Sequence, residues 1–287
     1  LYCRARLRII VCKAKNKAMT TRCSARESSP LAAAMLLLAF ACGPGPIQAA
    51  GAKAGIHEAI LGDQGQAAPE ISTDEMQALL AKGGAIVFDA RPHNEYAIAH
   101  IPGSVNLDEI ALGRFTQTYA DRDAKMIVYS NGPYCDLARI KSAALLRLGY
   151  AKVSRYQLGL PLWRLLGNAA ETDLHGFREM FRARNAVIVD ARSRSEYAAG
   201  TVPTAQSILA GEAGRAKLDR RLRYLDPNIR IVVFANNARD ARGVAQEISR
   251  NAFPNTSYFG GAYAQLKREK FFLERKPSPY FLDGLSR

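Results

Sequence analysis

The chain has 287 residues, 48% of them hydrophobic and 23% charged, and a formal net charge of +14. This composition excludes a disordered or fibrous chain and leaves room for two cores. Half of the charge excess, eight Lys/Arg against one Glu, lies in residues 1–50, and the other +7 is scattered without basic runs interleaved with aromatics, which argues against a nucleic-acid partner.

Residues 1–18 precede the first Met and read as a doubtful extension outside the fold. Residues 19–52 have the form of an export signal: Arg22 and Arg26 are basic, Leu31 to Ala41 are apolar, and the small residues Ala49, Ala50, Gly51 and Ala52 suit cleavage. The apolar stretch is too short for a membrane span of ~20 residues. The predicted destination is outside the cytoplasm, the periplasm in a Gram-negative cell. Cys42 offers a lipoprotein alternative and with it the expected route to a membrane. Residues 53–70 read as a linker. Cys3, Cys12, Cys23 and Cys42 all fall in the leader, so Cys135 alone remains after cleavage and no intramolecular disulfide is expected. His57, His93, His100 and His175 have no ligand spacing, so neither a metal nor a cofactor is expected.

Two stretches are near copies. "IVFDARPHNEYAIAHIPGS" starts at Ile86 and "VIVDARSRSEYAAGTVPTA" at Val187, with seven identities at a constant offset of 101. This reads as a duplication, with a first unit over 71–168, a second over 172–275, a linker near Gly167 to Thr172, and a tail over 276–287. A helix is predicted over 72–84, capped by Ser72 or Thr73 and stopped by Gly83 and Gly84, with a counterpart over 172–185. Each feeds a short apolar strand ending in Asp-Ala-Arg. "KMIVYS" and "IRIVVFA" are second buried strands leading into amphipathic helices. In the first of these, Leu137, Ile140, Ala144 and Leu148 are expected to share the buried face. Val153 to Tyr156 and Ser257 to Phe259 complete the strands. The fold class is α/β, each unit a mainly parallel sheet flanked by helices on both faces. Asp89, Arg91 and Glu95, with Asp190, Arg192 and Glu196, read as structural ion-pair networks, since buried charges need partners. His100 is also read as structural, because its counterpart is Thr201.

"IVYSNGPYCDLAR" (127–139) runs from strand through tight loop to helix, the place where an α/β protein holds an anion or a nucleophile. "FDARPHNEYAIAHIPGSVNL" resembles the first signature of rhodanese-like sulfurtransferase domains. "YQLGLPLW", with Gly159 and Trp163, is similar to that family's late Gly-x-x-x-Trp element, and "VDARSRSEYAAGTVP" and "YFGGAY" repeat the pattern more weakly. The resemblance implies a cysteine at the end of the domain's fourth strand, followed by a cradle of backbone amides at a helix start. That cradle would stabilise a thiolate and the persulfide formed from a sulfur donor. This chain departs there: the nucleophile position is Ser130, and in the second unit Ala235. A serine cannot carry a persulfide, and no histidine stands beside it as a base. Ser-Asn-Gly-Pro-Tyr-Cys resembles a subgroup of these loops written Cys-Asn-Gly-Pro-x-Cys, of which only Cys135 is kept.

Ser130, Asn131, Gly132, Pro133, Tyr134, Cys135 and Arg139 are therefore the candidate anion-binding loop, with Arg139 free to pair with an anion or with Asp136. One reading is an exported tandem protein without standard catalysis that binds a sulfur anion, another sulfur compound or a thiol-bearing protein. The alternative is a sulfurtransferase or persulfide carrier working through Cys135, against which stands Cys135 as a plain packing residue. A phosphatase reading is disfavoured because only three residues separate Cys135 from Arg139, too few to wrap a tetrahedral oxyanion. A pair of degenerate units serving as a scaffold remains open.

Overall fold

The computed structural model describes residues 67–108, 110, 112–222 and 229–269. The segment read as an export signal, with Cys42, and the 276–287 tail lie outside the described residues. The first repeat runs α1 (Thr73–Lys82), β1 (Ile86–Asp89), α2 (His93–Ile98), β2 (Val105–Asn106), α3 (Leu112–Thr118), β3 (Met126–Tyr129), α4 (Leu137–Arg147), β4 (Val153–Tyr156) and α5 (Gly159–Leu165). The second runs β5 (Ala170–Thr172), α6 (Leu174–Ala183), β6 (Ala186–Asp190), α7 (Arg194–Ala198), β7 (Gln206–Ser207), α8 (Ala213–Leu218), β8 (Arg230–Phe234), α9 (Ala238–Arg250), β9 (Thr256–Phe259) and α10 (Tyr263–Arg268). Among the described residues no helix is long and apolar enough to cross a membrane.

Every strand pairing is parallel. The sheets are ordered β2-β1-β3-β4 and β5-β9-β8-β6-β7, the same order twice with one extra edge strand in the second. In the first repeat that edge is reduced to a single bridge between Glu70 and Arg155, whose side chains also form an ion pair. Alternation along the strands supplies two cores per sheet. Val87, Ile127 and Tyr129 face one side with Met76 and Trp163, while Phe88, Met126 and Val128 face the other with Phe115 and Leu145. The second repeat does the same through Val189, Ile231 and Val233 on one face and Ile188, Val232 and Phe234 on the other.

The local signals act as expected at α1. The Ser72 side chain accepts from the Glu75 amide at 3.1 Å, and Gly83 ends the helix at φ +61°. Three expectations are corrected. Residues 170–172 are not linker: they form β5, because an open edge beside β9 accepts a parallel strand. Helix α6 consequently starts after Asp173, whose carboxylate accepts from the Gly176 amide at 2.7 Å. On α4 the fully buried residues are Ala138, Ser142 and Leu145, with Leu137 and Leu148 packed partly buried against the same core, whereas Ile140 stands half exposed.

The repeats share backbone bonds. His100 and Glu171 exchange amide–carbonyl hydrogen bonds at 2.9 and 2.8 Å, an antiparallel bridge, and the Thr172 hydroxyl donates to the Ile98 carbonyl at 2.8 Å. Helix α6 lies so close to α2 that a Cβ on Gly176 would overlap the Ala97 carbonyl.

Candidate functional site

The site begins with the strand-end charges. Asp89 is wholly buried and accepts from the Arg91 amide at 2.9 Å, from Arg91 Nε at 2.9 Å and from Arg91 Nη2 at 2.5 Å. Arg91 Nη2 also donates to the Ala99 carbonyl at 2.6 Å. Burial alone would make the Arg91 guanidinium easier to deprotonate, but hydrogen bonds to Asp89 and the charge of Asp89 more than offset it, so the cation is held firmly. Arg91 Nη1 reaches Asn131 Oδ1 at 3.4 Å, and Asn131 Nδ2 donates to Glu95 at 2.6 Å. The strand-end network thereby straps the loop down through its second residue. Beneath it the Tyr129 hydroxyl accepts from the Ile101 amide at 2.9 Å, and burial, with the charge of Asp89, pushes its pKa well up.

The loop connects Tyr129 at the end of β3 to Leu137 at the start of α4. Ser130 is buried at 1% exposure, its hydroxyl donating to the Cys135 carbonyl at 3.3 Å and its own carbonyl accepting from the Leu160 amide at 3.1 Å. Gly132 sits at φ +95°, a conformation that side chains avoid, and its carbonyl accepts from the Cys135 amide at 3.0 Å, closing a turn through Pro133 and a fully exposed Tyr134. Gly159, at φ +62°, lies against this loop: a Cβ there would overlap the Ser130 carbonyl oxygen and come within 2.6 Å of the Gly132 nitrogen. Among the described residues no acceptor takes the amide hydrogens of Asn131, Gly132, Tyr134 or Asp136. Such unspent donors at a helix start are what an anion uses.

Cys135 is half-buried and free. Asp136 is the N-cap of α4, but its side chain makes no cap bond. It turns instead to Arg139, taking Nε at 3.0 Å and Nη2 at 2.9 Å on one oxygen. Arg139 therefore pairs with Asp136, the second of the two options read from the sequence.

His100 is buried, bonds the Tyr96 carbonyl through Nδ1 at 2.9 Å and stacks on the Tyr96 ring at 3.9 Å. Sequence reasoning missed Arg164 on α5. Its Nε is enclosed with no partner, and its pKa is pushed down to about 10, chiefly by burial and further by the charges of Arg91 and Arg230. The Arg next to Trp163 gave no periodic signal. The Asn131–Glu95 link was findable, since Asn236 donates to Glu196 in the same way at 2.7 Å.

In the second repeat the strand end is preserved: Arg192 Nη2 meets Asp190 at 2.6 Å and the Gly200 carbonyl at 2.7 Å. The loop is not. Phe234 is followed by residues 235–237 alone before α9, and the Asn237 side chain accepts from the Asp240 amide at 3.0 Å. A cavity of about 390 Å³ opens over Ala235, lined in part by Asn236, Arg239 and Glu196. Among the described residues no group of three or more His, Cys, Asp or Glu side chains is placed to hold a metal ion.

The family model for the rhodanese-like domain matches twice, over residues 72–166 and 173–269. An HTH-type transcriptional regulator of Mycobacterium tuberculosis is 35% identical over 86 residues, 30% of this chain, and the match spans only 37% of the regulator's own length. The thiosulfate sulfurtransferase GlpE of Ectopseudomonas mendocina is 35% identical over 94 residues, 33% of this chain and 83% of that enzyme. The crystal structure of a thiosulfate sulfurtransferase from Pseudomonas aeruginosa is a distant likeness, 22% identical with a TM-score of 0.29, covering 68% of this chain and 42% of that one. With both repeats matched over most of the chain, the protein belongs to the rhodanese-like domain family.

Proposed function

We propose that this is an exported tandem rhodanese-like protein without the family's standard chemistry, in which the loop of the first repeat takes up sulfur on Cys135. Ser130 and Ala235 stand at the nucleophile positions, and neither side chain can form a persulfide. The observation that carries the reading is the placement of Cys135: half-buried, on the rim of a loop with four unspent amides, one residue before an N-cap whose side chain caps nothing. A packing cysteine has no need of that setting. The second repeat serves as scaffold. The proposed route out of the cytoplasm rests on residues 19–52.

Incubation with a sulfane-sulfur donor followed by intact mass is the direct test. The expected result is an adduct of about 32 Da that dithiothreitol removes and that Cys135→Ala never acquires. No adduct from any donor would leave the second reading, a loop that binds an anion or a thiol-bearing protein without turnover. The spare amides and the buried Ser130 also favour that reading.

A further inference from the structure

A second recess lies between the repeats, away from both strand-end loops. Its volume is about 600 Å³, within the range of small-molecule sites, and none of its lining residues belongs to 130–136 or 235–237. The C-terminal half of α1 forms one wall and a face of α9 the other. Helix α9 divides its charges between the two recesses. Arg242, Gln246 and Arg250 recur every fourth residue, so they make one stripe, and that stripe faces this cleft. The acids of the helix, Asp240 and Glu247, line the cavity over Ala235 instead, where the Asn237 side chain and the Gly211 amide each donate to them at 2.7 Å. The cleft stripe therefore carries cations and no acid. Among the described residues neither Arg242 nor Arg250 has a hydrogen bond or an ion pair.

The remaining polar side chains of the wall are largely spent. Gln246 donates to the Gly167 carbonyl and accepts from the Ala169 amide at 3.3 Å. Asn168 accepts from Gln77 at 2.9 Å and donates to the Trp163 carbonyl at 3.1 Å. Glu171, the one carboxylate in the lining, already accepts from the Tyr258 hydroxyl at 3.0 Å and the Gly103 amide at 3.4 Å. Burial and Glu171 push the Tyr258 pKa up while the Arg242 charge works against them, so that guanidinium acts on the interior of the cleft. Arg250 is pinned by its stem: a Cβ on Gly167 would come within 3.2 Å of Arg250 Cγ. Two guanidinium groups thus stand against one carboxylate, an excess of one positive charge, beside apolar Leu80, Pro102 and Trp163.

We propose that this cleft binds a small amphipathic monocarboxylate, its head held by Arg242 and Arg250 and its apolar body lodged against Leu80, Pro102 and Trp163. The two arginines are about 12 Å apart along the helix axis, a span that two long side chains can close around one head. The net charge of the lining suits a monoanion. The ligand would touch α1 of one repeat and α9 of the other.

Trp163 is the chain's single tryptophan, so the fluorescence of the full chain reports on this cleft. The probes are para-nitrobenzoate, whose ring quenches indole on contact, and its neutral counterpart para-nitrobenzyl alcohol, with free N-acetyltryptophanamide correcting for absorption and collision. Saturable quenching by para-nitrobenzoate is expected, with the alcohol at least about tenfold weaker. Arg242→Gln and Arg250→Gln are each expected to weaken the carboxylate about tenfold or more, and added salt to weaken it in the parent. Arg239→Gln, on the same helix but facing the other cavity, is expected to leave the affinity unchanged. Both cleft arginines are exposed, and Arg242→Lys and Arg250→Lys, which keep the charge, are expected to retain more binding than the glutamine variants, separating charge from a folding defect. Quenching of the parent that never saturates, that saturates equally with the alcohol, or that persists in the double glutamine variant overturns the proposal. A loss in Arg239→Gln equal to that in Arg242→Gln places the anion in the other cavity and overturns it too.

Discussion

Residues 130–136 and 235–237 join equivalent strands to equivalent helices, and the two connections diverge while their surroundings do not. Arg91 and Arg192 hold Asp89 and Asp190 in the same bidentate geometry and reach equivalent carbonyls at 2.6 and 2.7 Å. Tyr96 and Tyr197 likewise donate to the carbonyls of Ser104 and Ala205 at 2.7 and 2.9 Å. The strand-end motif therefore builds the frame in both repeats. The loops differ: in the first repeat it is long enough to curl and ends on an uncapped helix, while in the second it is short and Asn237 takes over the helix start. The residue against the loop differs too. Gly159 is left-handed at φ +62°, whereas Ala262, one residue before the equivalent amide of Tyr263, is extended at φ −103°.

The largest expected effect tests whether loop length decides. Ser130→Cys restores the family's nucleophile within a complete loop and is expected to raise sulfur transfer from a small donor to cyanide by roughly a thousandfold over the parent chain. Ala235→Cys, in a loop with a capped helix start, is expected to stay at background. Equal gains from both would erase the contrast. Next, Arg91→Ala and Arg192→Ala each leave a buried carboxylate without its partner and are expected to cost about 3–5 kcal/mol in urea unfolding. Similar losses in the two repeats would mark the pair as frame in both, whereas a loss confined to the first would tie it to the loop.

The smallest effect concerns His100, whose place in the second repeat is taken by Thr201, which donates to Asp190 at 2.6 Å. Burial lowers the folded-state pKa of His100 below its ordinary value. The unfolded chain therefore binds the proton first, and the stability from neutral His100 is present in full above about pH 6.5 and declines as the pH falls toward the folded-state value. The thermal midpoint is expected to drop between neutral and mildly acid pH, and His100→Thr is expected to flatten that slope. An unchanged slope in the variant would assign the dependence to other groups.

The frame was legible because it is written in short-range signals: alternating apolar strands, Ser72 and Gly83 at the ends of α1, and the Asp-x-Arg copies at offset 101. What escaped depends on pairings distant in sequence. Nothing in "NAAETD" says that 170–172 will zip onto β9, since an edge strand is defined by its neighbour. The apolar count on α4 finds Leu137 and Leu148 against the core but not the small Ala138 and Ser142, which are buried while Ile140 faces outward. The loop residues were read from their family pattern. Arg139 lost its expected freedom to Asp136, and Arg164 became notable only once its enclosure was seen.

The exchanged amide bonds between His100 and Glu171 mean that the halves cannot be cut apart at residue 168 without stripping a rung from each. A severed first half would expose the Ile98 carbonyl and the groove filled by Gly176, so melting is expected to run through both halves as a single cooperative event. The second repeat is thereby tied into the fold of the first as a brace, whatever its own loop can do.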